Sequence, residues 1–172
     1  MGAHDGIVIV GAGLAAASAA AELRAQGYEG GIRMLGREAH PPYLRPPLSK
    51  GYLSGEEGLD GVLLHTEDWY RDNAIELRTE TQVFAVDVQE REVTLRGGET
   101  LPYATLLLAT GSAPRQLPID GAELRGVHYL RTLDDSRRLR EQLARGGGVS
   151  CSSAPAGSAW RSARRRAASA TR

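Results

Sequence analysis

Residues 6–28 read GIVIVGAGLAAASAAAELRAQGY, and this stretch decides the fold. Ile7–Val10 is a short, uninterrupted apolar run, which is typical of a strand buried on both faces. Gly11, Gly13 and Ala16 follow at the spacing G-x-G-x-x-[GA], after which small and apolar residues recur at helical spacing. A strand, a glycine turn and a helix in this order predict a site for the pyrophosphate of a dinucleotide, because the amides at a helix N-terminus attract an anion.

An acidic residue follows the second predicted strand. The first helix is predicted at 14–26, where Gly27 can end it, and the second strand at 32–35, with Glu38 just beyond it. A carboxylate at this place can accept hydrogen bonds from the ribose hydroxyls of a bound adenosine. The glycine spacing alone leaves open an ordinary turn in an α/β protein, and it is the context on both sides that favours dinucleotide binding.

A proline-rich segment comes next. Residues 40–51 read HPPYLRPPLSKG, and prolines at this density exclude a helix interior or a central strand. The segment is therefore predicted to be a stiff loop ending in a short helix or turn. Arg45 and Lys50 are either cations beside the pyrophosphate or ordinary charges of a solvated loop, and composition does not separate the two.

The rest of the body predicts inserted strands, a crossover strand and a last helix. Helices are expected at 66–73, entered at Thr66, and from the capping box of Thr132 and Asp135 to about Arg145. Strands are expected at 75–77, 82–88, 93–95, 100–101 and, as a buried strand that ends at Gly111, 105–109. A linker marked by Pro114, Pro118 and Gly121 precedes the last helix.

Four segments resemble a known family. Residues 8–24, 38–50, 106–115 and 126–143 look like the FAD-dependent NAD(P)H reductases of ferredoxins and rubredoxins, within the pyridine nucleotide-disulfide oxidoreductase superfamily. The resemblance covers roughly residues 6–145, and the element P-Y-x-R-P-P-L-S-K is its most specific part. It implies an α/β fold: an incomplete Rossmann-like FAD-binding domain of three parallel strands (7–10, 32–35 and 105–109) plus inserted β-strands, followed by a disordered tail.

The resemblance also implies a set of FAD contacts and no catalytic or metal-binding residue. At the diphosphate it places Gly11, Gly13, Leu14, Ala15 and Ala16. Elsewhere on the cofactor it places Glu38 at the ribose, Arg45 near the adenosine, Lys50 toward the flavin, the Val83 backbone at the adenine, the crossover Ala109, Thr110 and Gly111, and Arg131. Taken alone, Val83 could equally be an edge-strand core residue, and Arg131 a capping or surface charge.

Cysteine usage narrows the chemistry that the resemblance implies. The chain has one cysteine, Cys151, and none between Gly36 and Gly61, so no dithiol can relay electrons. The flavin would pass electrons directly to an external acceptor of the ferredoxin or rubredoxin type, because flavin accepts a hydride and releases electrons singly. The implied cofactors are FAD and NAD(P)H.

The composition changes at residue 146. Residues 146–172 are rich in Ser, Ala, Arg and Gly, with five arginines and no acid, which predicts disorder. One alternate-frame back-translation of residues 153–162 gives G-A-G-W-I-G-L-E-V, the expected start of an NAD(P)H-binding unit, so we expect a frameshift near residues 146–151. The expected divisions are 1–111, the first part of the FAD domain; 112–145, a linker and helix leading to a missing NAD(P)H domain; and 146–172, an out-of-frame tail. Sequencing the gene tests this expectation.

Such a chain would be a fragment. We expect weak or absent FAD retention, low stability, no NAD(P)H turnover by this polypeptide alone, and an uncovered apolar edge and face of the sheet. The alternative is a non-catalytic nucleotide-binding module or a non-functional truncated product. Residues 164–166 are a basic run, yet we expect no nucleic-acid partner and no membrane association. The absence of a signal-like or membrane-length apolar run, together with the single cysteine, predicts a cytoplasmic protein.

Overall fold

The computed structural model describes residues 6–145, so the expectations for residues 146–172 lie outside the described residues. The strands are β1 (Gly6–Val10), β2 (Gly31–Leu35), β3 (Ile75–Arg78), β4 (Val83–Asp87), β5 (Glu92–Leu95), β6 (Thr100–Pro102) and β7 (Thr105–Leu108). The helices are α1 (Leu14–Ala25), α2 (Gly51–Ser54), α3 (Glu67–Asp72) and α4 (Leu133–Ala144), with a short 3-10 helix at Pro46–Ser49. These described residues divide into two compact units, one of residues 6–43 and 63–111 and one of residues 44–62 and 112–145.

The first unit is built on a parallel sheet of order β3-β2-β1-β7. β1 lies between β2 and β7, with Ile9 opposite Met34 on one side and Leu107 on the other. The predicted association of the three strands 7–10, 32–35 and 105–109 is confirmed. The sheet has four parallel strands where the sequence placed three, because β3 also pairs with β2. A local pattern predicts a strand at residues 75–77 but contains nothing about its partner.

Helix α1 packs on one face of this sheet. Ala16, Ala17 and Ala20 are buried in one cluster with apolar residues of β1, β2, β3 and α3. Small side chains let a helix approach a sheet closely, and the small residues that the sequence places at helical spacing form this buried face of α1. The helix ends as predicted, with Gly27 at φ +80°, a left-handed conformation that favours glycine.

An antiparallel sheet of order β4-β5-β6 forms the second layer of the unit. Its buried residues Val93, Leu95 and Leu101 cluster with Val8 and Leu35 of the parallel sheet. A glycine turn joins β5 and β6, since residues 97 and 98 both have positive φ. Likewise, Thr66 caps α3, as predicted, by accepting a hydrogen bond from the amide of Trp69 at 3.3 Å.

Residues 105–109 are predicted to form a buried strand; the strand is present, but the prediction that it is buried is wrong. β7 lies at the edge of the four-stranded sheet, and Leu107 and Leu108 are 36% and 63% exposed. The apolar run does correspond to a strand of the parallel sheet. Burial, however, depends on the layers that cover a strand, and a local apolar run carries no information about them. The outcome agrees with the expected uncovered apolar edge.

The second unit is centred on α4 in the part of it that the structure describes. Leu48, Leu53 and Leu133 are buried, and the buried Ser136 hydroxyl donates to the Leu48 carbonyl at 2.7 Å. The predicted capping box at the start of α4 is confirmed: the Thr132 side chain accepts from the Asp135 amide, and the Asp135 side chain accepts from the Thr132 amide. None of the helices within residues 6–145 combines the length and the apolar character needed to cross a bilayer.

Candidate dinucleotide-binding site

Gly11 brings three strand ends together at the glycine turn. It has φ +119°, and its amide donates to the Leu35 carbonyl of β2 at 2.8 Å. A Cβ at this position would stand 2.1 Å from the Ala109 carbonyl oxygen beyond β7. Both the positive φ and the close backbone contact require glycine, because any side chain would be strained and would collide with main-chain atoms.

Gly13 is small for a different reason. It is the N-cap of α1, with extended φ −102° and ψ −171°, and it provides no side-chain cap. A Cβ added there would meet no atom of the described chain within 4 Å. The first turn of α1 holds no acidic residue, and Leu14 and Ala15 are exposed. The described residues therefore leave open space beside the N-terminus of a twelve-residue helix.

This N-terminus suits an anion. The first amides of an α-helix have no acceptor within the helix, and the helix dipole puts partial positive charge at this end. A diphosphate satisfies both features, which is the chemical reason that the glycine spacing predicts a dinucleotide. The open space at Gly13 and the absence of a competing carboxylate in the first turn fit the diphosphate of FAD.

Glu38 lies near the carboxyl ends of β1 and β2, the edge that holds the glycine turn. It is half-buried, and its carbonyl accepts from the Glu80 amide at 3.0 Å. The hydroxyl of Tyr43 donates to Glu38 Oε2. The structure thus brings the acid and the glycine turn to the same end of neighbouring parallel strands, where ligands of open α/β sheets bind.

Sequence reasoning missed the importance of Gly36. A Cβ there would stand 2.6 Å from the Ala12 Cβ, so the glycine lets the loop after β2 approach the glycine turn. The Gly36 amide donates to the Arg78 carbonyl at 2.8 Å, and its carbonyl accepts from the Thr81 amide at 2.7 Å. A glycine directly after a strand and two residues before the acid was the available signal, but the close approach involves a separate segment of the chain.

An ion-pair network supports the strand to which Gly36 is bonded. Glu76 pairs with Arg33 at 3.0 Å and with Arg78 at 2.6 Å, and Arg78 also pairs with Glu99 at 2.8 Å. Burial acts to raise the pKa of Glu76. The hydrogen bonds and charges of the two arginines outweigh that effect, so the pKa of Glu76 lies below its usual range.

The crossover residues Ala109, Thr110 and Gly111 follow β7. The Ala109 amide donates to the Val10 carbonyl at 2.8 Å, which continues the pairing of β7 with β1 as far as the glycine turn. Thr110 is exposed, and Gly111 has φ +69°. By contrast, Val83 begins β4 in the antiparallel sheet, where it is partly buried opposite Leu95.

The three predicted cations lie in the second unit. Arg45 and Arg131 are brought together, because the Arg45 guanidinium donates through Nη1 to the Arg131 carbonyl at 2.6 Å. Arg131 directly precedes Thr132, the N-cap of α4. Lys50 is exposed at the junction between the 3-10 helix and α2. This hydrogen bond thus joins two of the three predicted cations, which are 86 residues apart along the chain.

A parallel sheet with an uncapped helix N-terminus and an acid at the same edge defines a dinucleotide-binding α/β protein of the Rossmann type. The family model described as pyridine nucleotide-disulphide oxidoreductase matches residues 5–157. The chain belongs to this family.

Curated relatives and solved structures agree with this membership. The chain is 45% identical over 143 residues to a rubredoxin-NAD(+) reductase of Pseudomonas putida, covering 83% of this chain and 37% of that protein. It is 44% identical over 146 residues to putidaredoxin reductase CamA of Pseudomonas putida, covering 83% and 35%. A crystal structure of the covalent putidaredoxin reductase-putidaredoxin complex matches with a TM-score of 0.75 and 42% identity, covering 83% and 35%. The chain therefore spans about a third of the length of these relatives.

Proposed function

We propose that this chain supplies the ADP-binding part of the FAD site in a reductase that passes electrons from NAD(P)H through FAD to a ferredoxin- or rubredoxin-type acceptor. The names of the relatives support the nicotinamide donor and the acceptor class. The observation that carries the FAD site is the open space at Gly13 beside the uncapped N-terminus of α1. We also propose a cytoplasmic location, for which the single cysteine is the support.

In this proposal the described residues bind and orient the cofactor. The turn residues Gly11 and Gly13 admit the diphosphate, and the amides of residues 14–16 donate to it. Glu38 accepts from the ribose hydroxyls. The other positions keep the roles that the family resemblance implies. The Val83 backbone contacts the adenine, and the crossover residues near the cofactor are Ala109, Thr110 and Gly111. The cations on the cofactor are Arg45, Lys50 and Arg131.

The chemistry of electron transfer belongs to the cofactor. When bound, FAD accepts a hydride as two electrons and releases them singly. The chain contributes position and charge, and with one cysteine it holds no intrachain dithiol. We therefore propose direct transfer from the flavin to the external acceptor. The division of the chain into an FAD part (1–111), a connecting part (112–145) and a tail (146–172) belongs to the same proposal.

The test is binding by the full chain. We expect addition of ADP or FAD to shift the backbone amide NMR signals of residues 13–16 in the isotope-labelled protein. Gly13→Ala should lower the ADP affinity about tenfold or more, because the methyl group occupies the space reserved for the phosphates. Gly27→Ala is the control at the other end of α1, where an added Cβ also meets no atom of the described residues within 4 Å. Its φ of +80° makes it the more strained variant, so an unchanged ADP affinity there shows that strain does not cause the loss at Gly13. Equal ADP affinity of wild type and Gly13→Ala would refute the proposed site.

NADH oxidation separates the proposal from a nucleotide-binding module without catalysis. The proposed site accounts for the adenosine diphosphate part of FAD, and the described residues assigned here do not include an NAD(P)H site. We therefore expect this chain to bind ADP without oxidising NADH. Reconstitution with the remaining two thirds of a relative of this family should restore flavin reduction by NADH. Failure of that reconstitution, with ADP binding intact, would favour the non-catalytic module.

A further inference from the structure

Tyr43 is held in place by its backbone and by burial. It is 4% exposed, and its backbone forms an isolated antiparallel bridge with Leu63. Beside the bridge, the Leu64 amide donates to the Pro42 carbonyl at 2.9 Å. These backbone hydrogen bonds fix the proline-rich loop at Tyr43, and burial leaves the Tyr43 ring little freedom to move.

The fixed ring reaches the proposed ribose acceptor. The Tyr43 hydroxyl donates to Glu38 Oε2, so a neutral donor meets a charged acceptor, which is one of the stronger kinds of hydrogen bond. The main chain of Glu38 is held independently, by the Glu80 amide on its carbonyl. Two separate segments thus fix the backbone and the carboxylate of the same residue.

We infer that Tyr43 is a positioning residue, which orients the Glu38 carboxylate for the ribose hydroxyls of an adenosine diphosphate group. This inference rests on the proposed function. A glutamate has several rotatable bonds, and a ligand that must immobilise them loses affinity. Tyr43 fixes them before the ligand arrives. The hydrogen bond from Tyr43 is compatible with this role, because a carboxylate offers about four acceptor positions.

The test compares ligands that differ only in the ribose. The affinities of the full chain for ADP and for 2′,3′-dideoxy-ADP are measured by amide NMR titration. The readout is the affinity ratio, which is the affinity for ADP divided by that for dideoxy-ADP. Tyr43→Phe keeps the ring and removes the hydroxyl. We expect it to lower the ratio about three- to tenfold while the affinity for dideoxy-ADP stays unchanged. If Tyr43 had only a structural role, Tyr43→Phe would lower the affinities for ADP and dideoxy-ADP equally and leave their ratio unchanged.

A matched control exists in the same unit. Tyr103 is also buried, at 6% exposure, and its hydroxyl donates to the Asp87 carbonyl at 3.3 Å. Tyr103→Phe therefore removes a bonded hydroxyl from a buried tyrosine without touching Glu38. We expect the affinity ratio of this variant to equal that of the wild type, and a lowered ratio would show that the readout responds to any such change.

Glu38→Gln separates the two levels of the argument. It should lower the ratio, and Tyr43→Phe in that background should lower it no further, because the two residues act through one carboxylate. If Glu38→Gln collapses the ratio and Tyr43→Phe leaves it unchanged, the inference is wrong and the proposed function stands. If Glu38→Gln leaves the ratio unchanged, the ribose role of Glu38 and the inference about Tyr43 are both wrong, while the diphosphate site at α1 stands. If the wild type binds no ADP, the proposed function is overturned as well.

Discussion

Gly11→Ala is the sharpest test of why the glycine turn has its sequence. The added Cβ would lie 2.1 Å from the Ala109 carbonyl oxygen, 2.6 Å from the carbonyl carbon and 3.2 Å from the Thr110 nitrogen. All three are main-chain atoms, so no side-chain rotation relieves the collision. The residue would also keep φ +119°, which L-residues with a Cβ rarely adopt.

The two costs add. Forcing extra volume into a packed site costs about 1–3 kcal/mol. Holding a non-glycine residue in a sparsely populated backbone region costs about 1–3 kcal/mol more. We therefore expect Gly11→Ala to lower the free energy of unfolding by about 2–6 kcal/mol, a large part of the roughly 5–15 kcal/mol of an ordinary domain.

Gly27→Ala measures the cost of backbone strain without the collision. Gly27 has φ +80°, but an added Cβ meets no atom within 4 Å of the described chain, so only the strain remains, at about 1–2 kcal/mol. Urea unfolding followed by far-ultraviolet circular dichroism measures both variants against the wild type. If Gly11→Ala destabilises the protein no more than Gly27→Ala does, the argument from close backbone approach is wrong.

Two further predictions concern buried or capped side chains. The Tyr70 hydroxyl is buried without a hydrogen-bond partner within residues 6–145, and burial raises its pKa to about 12. Tyr70→Phe should raise the free energy of unfolding by about 1 kcal/mol in urea titrations, because it removes an unsatisfied polar group, and a loss of stability would contradict this. Burial acts to raise the pKa of Asp135, but hydrogen bonds from Thr132, Arg131 and Arg138 outweigh it and hold that pKa below its usual value. A lowered folded-state pKa stabilises the protein above the unfolded value near 3.9, and this contribution is lost as the pH falls through the folded pKa. Asp135→Asn should therefore lower stability by about 0.5–2 kcal/mol at pH 6 and by much less at pH 3, and an equal loss at both pH values would refute the role of its charge.

The elements that the sequence predicted best are those whose signals are local. Gly27 ends α1 through its own backbone conformation, and Thr132 caps α4 through residues within one turn. Such features depend on a few neighbouring residues, so a pattern of a few letters contains them. The glycine turn belongs to the same class, since its strand, turn and helix are contiguous.

The features that the sequence could not predict join distant segments. The partner of β3, the exposure of Leu108, the approach of Gly36 to Ala12 and the bond from Tyr43 to Glu38 each depend on a second part of the chain or on its covering layer. The proline-rich element was recognised by resemblance, yet the contact that Tyr43 makes has no local signature.

The three small residues of the glycine turn show what part of a sequence motif the fold explains. Gly11 is required by the Ala109 carbonyl, and Ala16 is required by the core under α1, where it is fully buried. The described chain places no atom near a side chain at Gly13. Packing therefore gives no reason for its small size, while a ligand at the uncapped helix N-terminus does. Gly13 is thus the position at which stability and binding should separate: alanine there should cost less than about 1 kcal/mol as an altered N-cap while it removes most of the affinity for a diphosphate.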